Sequence, residues 1–251
     1  MSLQALLAAD EPAPFRVENA RGGANILLTA DHAGRLIPRA LKNLGLQAAD
    51  LSRHIAWDIG IDGTTTRLAE LLDAPAVLQT YSRLVIDCNR PPDVPNAYPV
   101  ISEATPIPGN ASLTPAEKLQ RRQAIFDPYH SRIEALKGDR IYVAMHSFTP
   151  VYLGAERQMQ VALLYNRNPR LSLLMAALLR DEGDLAVAEN LPYHVSDETD
   201  YGVPVHAERA GLDYLEIEIR QDLIADANGQ TAWAERLARL IPLAINKLNG
   251  T

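Results

Sequence analysis

Residues 25–38 read NILLTADHAGRLIP. The first six, NILLTA (25–30), form a short uninterrupted apolar run, the signature of a buried strand. The run ends abruptly in Asp31-His32. The same pattern recurs further along. RIYVAMHS (140–147) is an apolar strand that ends in His146-Ser147. YSRLVIDCNRPPD (81–93) carries a strand at 82–87 that gives way to Asp87, Asn89 and Arg90 and stops at Pro91-Pro92. YLEIEIRQDLI (214–224) alternates apolar and acidic residues and delivers Glu216 and Glu218 to one side, because a strand repeats every two residues.

Between these runs lie helical patterns. They fall at 51–74, at 113–138 (capped by Thr114 with Glu117, with Pro128 expected to kink it), at 169–183 and at 231–250. Further strands are expected at 76–80, 158–166 and 185–192. Residues 1–24 are mixed and are expected to wrap the rest. The proline-rich stretch 91–113 lacks periodicity and reads as a long loop of the kind that often carries function. Strands alternating with helices predict a three-layer α/β/α sandwich around a mixed, mostly parallel sheet. No repeat or composition shift marks a boundary, so residues 1–251 are expected to form one domain.

Bulk composition narrows the function classes. The 251-residue chain has a net charge of −7, which argues against a non-specific nucleic-acid binder. A single cysteine excludes an intrachain disulfide and a multi-cysteine metal site, and fits a reducing cytoplasm. No apolar run approaches the length of a membrane helix, and the first residues lack the basic start of a signal peptide. A cytoplasmic protein with no membrane and no nucleic-acid partner is expected.

In open α/β sheets ligands bind at the carboxyl ends of the strands. There this sequence places His32, His146, Asp87, Asn89, Arg90 and Glu218. Two histidines and a carboxylate are the protein ligands of a hydrolytic zinc site. The nearest carboxylates are Asp58 and Asp62. With His54 they are spaced by four, which a helix would gather on one face. Taken alone, the same residues read more readily as a solvated polar face, and Glu216 and Glu218 as facing water from an edge strand. Of the remaining histidines, His130 reads as a surface residue and His194 as a loop residue. His206 is the best of them because it shortly precedes the Glu218 strand.

DHAGRLIP, HIAWDIGIDG, YSRLVIDCNRP, MHSFTP and LEIEIRQDLI, in this order over about residues 25–225, resemble the blocks of the N-formylglutamate amidohydrolase family, within the zinc carboxypeptidase-like superfamily. The resemblance implies one zinc ion, or another divalent metal, held by His32 and His146. It implies Glu218 as general base and Asn89 and Arg90 as a clamp for a substrate carboxylate. Arg83 would polarise the scissile carbonyl or bind a second carboxylate; His206, from its place before the Glu218 strand and not from the resemblance, is assigned to substrate binding. The glutamate expected three residues after the first histidine is replaced by Arg35. The third ligand is therefore assigned to Asp58, with Asp62 in reserve. The implied reaction is zinc-dependent hydrolysis of N-formyl-L-glutamate to formate and L-glutamate, in histidine catabolism. A related amidase or carboxypeptidase acting on another N-acyl amino acid or short peptide, and a non-catalytic binder of acidic metabolites, are the alternatives.

Overall fold

The computed structural model describes residues 5–250. Its central sheet has seven strands: β1 (Phe15–Glu18), β2 (Ile26–Ala30), β3 (Ala76–Gln79), β4 (Ile141–Phe148), β5 (Val161–Leu164), β6 (Val187–Glu189) and β7 (Tyr214–Arg220). They lie in the order β1-β3-β2-β4-β7-β5-β6. The four central strands β3, β2, β4 and β7 are parallel, β1 and β5 run antiparallel to their inner neighbours, and β6 is parallel to β5. This is the expected mixed, mostly parallel sheet.

Alternation along the strands feeds two apolar layers. Ile26, Leu28, Val143, Met145, Leu215 and Ile217 pack on one face under helices α1 (Ile61–Leu72), α4 (Arg170–Asp181) and α5 (Ala227–Asn249). Leu27, Val77, Tyr142, Ala144 and Tyr214 pack on the other, against α3 (Asp127–Lys137) and the buried segments that surround it. Helix α2 (Pro115–Arg121) is capped by Thr114 and Glu117 as expected. It joins α3 through a π-helical turn at Arg122–Phe126. There the Asp127 N–H reaches back to Arg122, next to Pro128, which has no N–H to give.

Three expectations are corrected. Residues 82–87 are not a strand. Leu84, Val85 and Ile86 are all buried, but Leu84 and Val85 lie in a turn and Ile86 in irregular backbone after it. Their backbone is satisfied without a ladder: Arg121 donates to the Val85 carbonyl at 2.9 Å, Asn110 donates to that of Leu84 at 2.9 Å, and the Asp87 N–H donates to that of Ala97 at 2.8 Å. The helix expected over 51–74 is regular only from Ile61. Gly60 stands before it at φ +82°, and a Cβ there would meet the Ile224 carbonyl oxygen at 2.0 Å. Residues 15–18 do more than wrap the fold: they pair with β3 as an edge strand.

Candidate functional site

The carboxyl ends of the central strands open into a cavity of about 600 Å³. His32 reaches it two residues past the end of β2, Asp58 from the turn before α1, and His146 from within β4. All three are buried. One nitrogen of each imidazole and one Asp58 oxygen lie within 4.8 Å of one another. Asp58 Oδ2 stands 3.0 Å from His146 Nδ1 and 3.5 Å from His32 Nδ1. Ligand atoms placed tetrahedrally at zinc bond lengths are about 3.4 Å apart. His32 Nε2 donates to Asp87 Oδ1 at 2.7 Å, so Nδ1 carries the lone pair whenever the ring is neutral, and Nδ1 makes no hydrogen bond among the described residues. A carboxylate behind a ligating imidazole is the usual way such a tautomer is fixed. Burial opposes ionisation of Asp58, but the His32 and His146 rings outweigh it and hold the carboxyl well below the usual range. The donor set thus fits a divalent cation: two buried imidazoles and an anionic oxygen within reach of one another.

Glu218 sits beside His146 in the β4–β7 register, so the parallel pairing itself brings the two together. It lines the cavity at 7% exposure, and its Oε2 has no hydrogen-bond partner among the described residues. Burial, against the pull of His146, raises the pKa of Glu218 above the ordinary carboxylate range. Glu216 lines the same wall and is raised by burial as well.

Arg83 lies at the site with its Nε and Nη2 on Asp87 Oδ2, at 3.1 and 2.7 Å, and its Nη1 is 3.6 Å from Asp58 Oδ1. Asp87 therefore orients both an arginine and a histidine. Arg90 also lines the cavity, paired to Asp200 Oδ1 at 3.1 Å and to the Thr199 carbonyl. The Asn89 amide oxygen accepts from the N–H groups of Tyr201 and Gly202, at 3.1 and 2.9 Å, and so fixes the 200–202 segment against the site. His54 and His194 lie in the cavity wall, as do Glu103, Tyr152 and Tyr193. The loop at 91–113 contributes Asn96, Pro99, Ile101, Ser102 and Glu103 to it.

Two expected site residues are elsewhere. Asp62 is on α1 and pairs with Arg16 on β1, with Nη1 to Oδ2 at 3.0 Å; its side chain is 40% exposed. The helix begins after Asp58, so the two aspartates do not share a face. His206 does not line the cavity. It is buried in the α3 layer, with Nε2 2.9 Å from His130 Nδ1 and Nδ1 3.3 Å from Glu134 Oε2. His130 is correspondingly buried rather than at the surface. Arg35 stacks on Trp57 with 5.0 Å to the ring centroid.

A family model for N-formylglutamate amidohydrolase matches residues 24–225. The chain belongs to that family. It is similar to a gene product of Agrobacterium tumefaciens of known crystal structure, with 38% identity and a TM-score of 0.91 over 97% of this chain and 99% of that one. The fold is also that of the N-formylglutamate amidohydrolase from Ralstonia eutropha JMP134, at 20% identity and a TM-score of 0.69 over 96% of this chain and 100% of that one. A comparison with curated protein sequences finds no match. Membership places this N-formylglutamate amidohydrolase relative among the hydrolases. No helix among its described residues is long and apolar enough to cross a membrane.

Proposed function

We propose that the protein is a zinc-dependent amidohydrolase that converts N-formyl-L-glutamate and water to formate and L-glutamate. The observation that carries the reading is the buried His32–Asp58–His146 group beside Glu218, in one cavity with Arg83 and Arg90. Zinc held by those three residues would supply Lewis acidity, which activates water and polarises an amide carbonyl. Glu218 acts as general base. Its raised pKa suits it to take a proton from the attacking water and pass it to the leaving nitrogen as the C–N bond breaks. Arg83 faces the reacting carbonyl with Nη1, its other two nitrogens being fixed by Asp87, and holds the developing oxyanion. Arg90 grips a substrate carboxylate, positioned by Asp200, while Asn89 keeps that wall in place.

Purified protein should contain about one zinc per chain and release formate from N-formyl-L-glutamate, and chelation should abolish turnover. Glu218→Gln should retain the metal and lose at least ~100-fold in kcat, the scale of a general base. A metal-free protein that turns over at full rate, or a glutamine variant as active as wild type, would overturn the reading. A second reading, a longer acyl group, draws support from the exposed apolar side chains at the mouth, Ile101, Tyr152 and Tyr193. N-acetyl- and N-succinyl-glutamate in the same assay separate the two.

A further inference from the structure

N-formylglutamate carries two carboxylates at neutral pH, since both pKa values lie near 4. Two arginines, Arg83 and Arg90, line the cavity, and a third, Arg157, stands against four of its wall residues; they differ in what already neutralises them. Arg83 is occupied by Asp87, and Arg90 by Asp200. Arg157, on the hairpin that follows β4, has no carboxylate within 4 Å among the described residues. This is notable in a chain with 31 acidic residues and only 24 lysines and arginines. The guanidinium is nonetheless firmly held. Its carbon lies 4.9 Å from the Tyr152 ring centroid, 5.0 Å from that of Tyr193 and 5.9 Å from that of Phe148. Nη1 donates to Tyr193 Oη at 3.0 Å and to the Thr149 carbonyl at 3.4 Å. Nε and Nη2 have no protein acceptor among the described residues. Phe148, Thr149, Tyr152 and Tyr193, the groups that fix the arginine, are themselves cavity wall.

We propose that Arg157 is the specificity-determining residue that binds the side-chain carboxylate of the substrate. The inference rests on the amidohydrolase reading above. A planar cation held between rings, with one edge of its fork unused, is pre-organised for two parallel hydrogen bonds to a carboxylate. The geometry also assigns which carboxylate. The α-carboxylate is close to the scissile amide and stays near the buried cluster, within reach of Arg90. The side-chain carboxylate is farther along the chain and extends toward the mouth, where Tyr152 and Tyr193 are partly exposed. Tyr193, whose hydroxyl oxygen accepts from Arg157, keeps its own proton to donate to the same carboxylate.

The test compares N-formyl-L-glutamate with N-formyl-L-glutamine, its isostere with a neutral side chain, in wild type and Arg157→Gln. Loss of two charge-assisted hydrogen bonds at a partly exposed site should lower kcat/KM for the glutamate substrate about 30- to 100-fold, mainly through KM. The glutamine substrate should be nearly unaffected, so the preference for the acid collapses. An equal loss on both substrates would make Arg157 a structural support for Tyr193 and overturn the proposal, as would an unchanged preference. Arg157→Met, which keeps the stem between the rings, gives the same comparison should the glutamine variant fold poorly. If wild type hydrolyses neither substrate, the amidohydrolase reading fails by itself. Calorimetric binding of glutarate against butyrate then still reads the arginine: a preference for glutarate lost in the variant supports the proposal, and one retained overturns it.

Discussion

At the residue scale Asp87 joins a candidate ligand to an arginine of the site. Its Oδ1 holds His32 Nε2 and the Asn89 N–H, and its Oδ2 holds two nitrogens of Arg83. Burial would raise its pKa, but Arg83 and His32 outweigh that and keep the carboxyl well below the usual range, so it is an anion throughout the working pH range. Asp87→Ala should therefore release a ligand imidazole and an arginine together. Removing such an outer partner typically costs ~10- to 100-fold in metal affinity. Zinc competition against a chelator should show that loss, with kcat falling as well because Arg83 is no longer aimed. An unchanged zinc affinity would confine Asp87 to orienting Arg83. The sequence placed Asp87 among the polar residues of the site. The contact to His32 spans 55 residues, and nothing in local spacing announces it.

At the scale of elements, strand ends were legible and loops were not. Strands β2, β4 and β7 are long apolar or alternating runs, and the side chains they deliver, His146 and Glu218 above all, follow from strand period and parallel register. Edge strand β1 was missed because its four residues are half-buried and their partners, residues 76–79, are far away in sequence. Residues 82–87 were misread for the opposite reason: they are as apolar as a strand, yet are held by side chains. Arg121 is central to this. It is 2% exposed, and it donates to the Val85 carbonyl, the Asn110 amide oxygen at 2.7 Å and the Gly109 carbonyl at 3.2 Å. Asn110 in turn donates to Leu84 and Pro99. One helix thereby pins the segment that presents Arg83, Asp87 and Arg90. Arg121→Leu strands two buried acceptors, each worth about 1–3 kcal/mol, and frees a third, on Gly109, that water can reach. It should lower the unfolding free energy by roughly 3 kcal/mol or more in a denaturant titration and depress kcat/KM although it never touches the cavity. A loss below about 1 kcal/mol would mean that the segment holds its shape without the arginine.

For the whole molecule, the consequence lies in how far apart the three candidate ligands are in the chain. His32, Asp58 and His146 meet only when β2, the turn before α1 and β4 are all in place, so the site exists in the native state and not in the unfolded one. A cation bound there must stabilise the fold by mass action, by about 4 kcal/mol when free metal exceeds its dissociation constant a thousandfold. For a chain of this size each kcal/mol moves the melting temperature by about 2–4 °C, so zinc should raise it by roughly 8–16 °C over chelated protein. The shift should vanish in Asp58→Ala, which removes the anionic ligand, and persist in Asp62→Ala, whose carboxylate pairs with Arg16 away from the cavity. That contrast separates cation binding at this cluster from general binding to an acidic protein, since each variant removes one negative charge. An equal shift in wild type and Asp58→Ala would place the metal elsewhere and leave the buried cluster without a cation to hold.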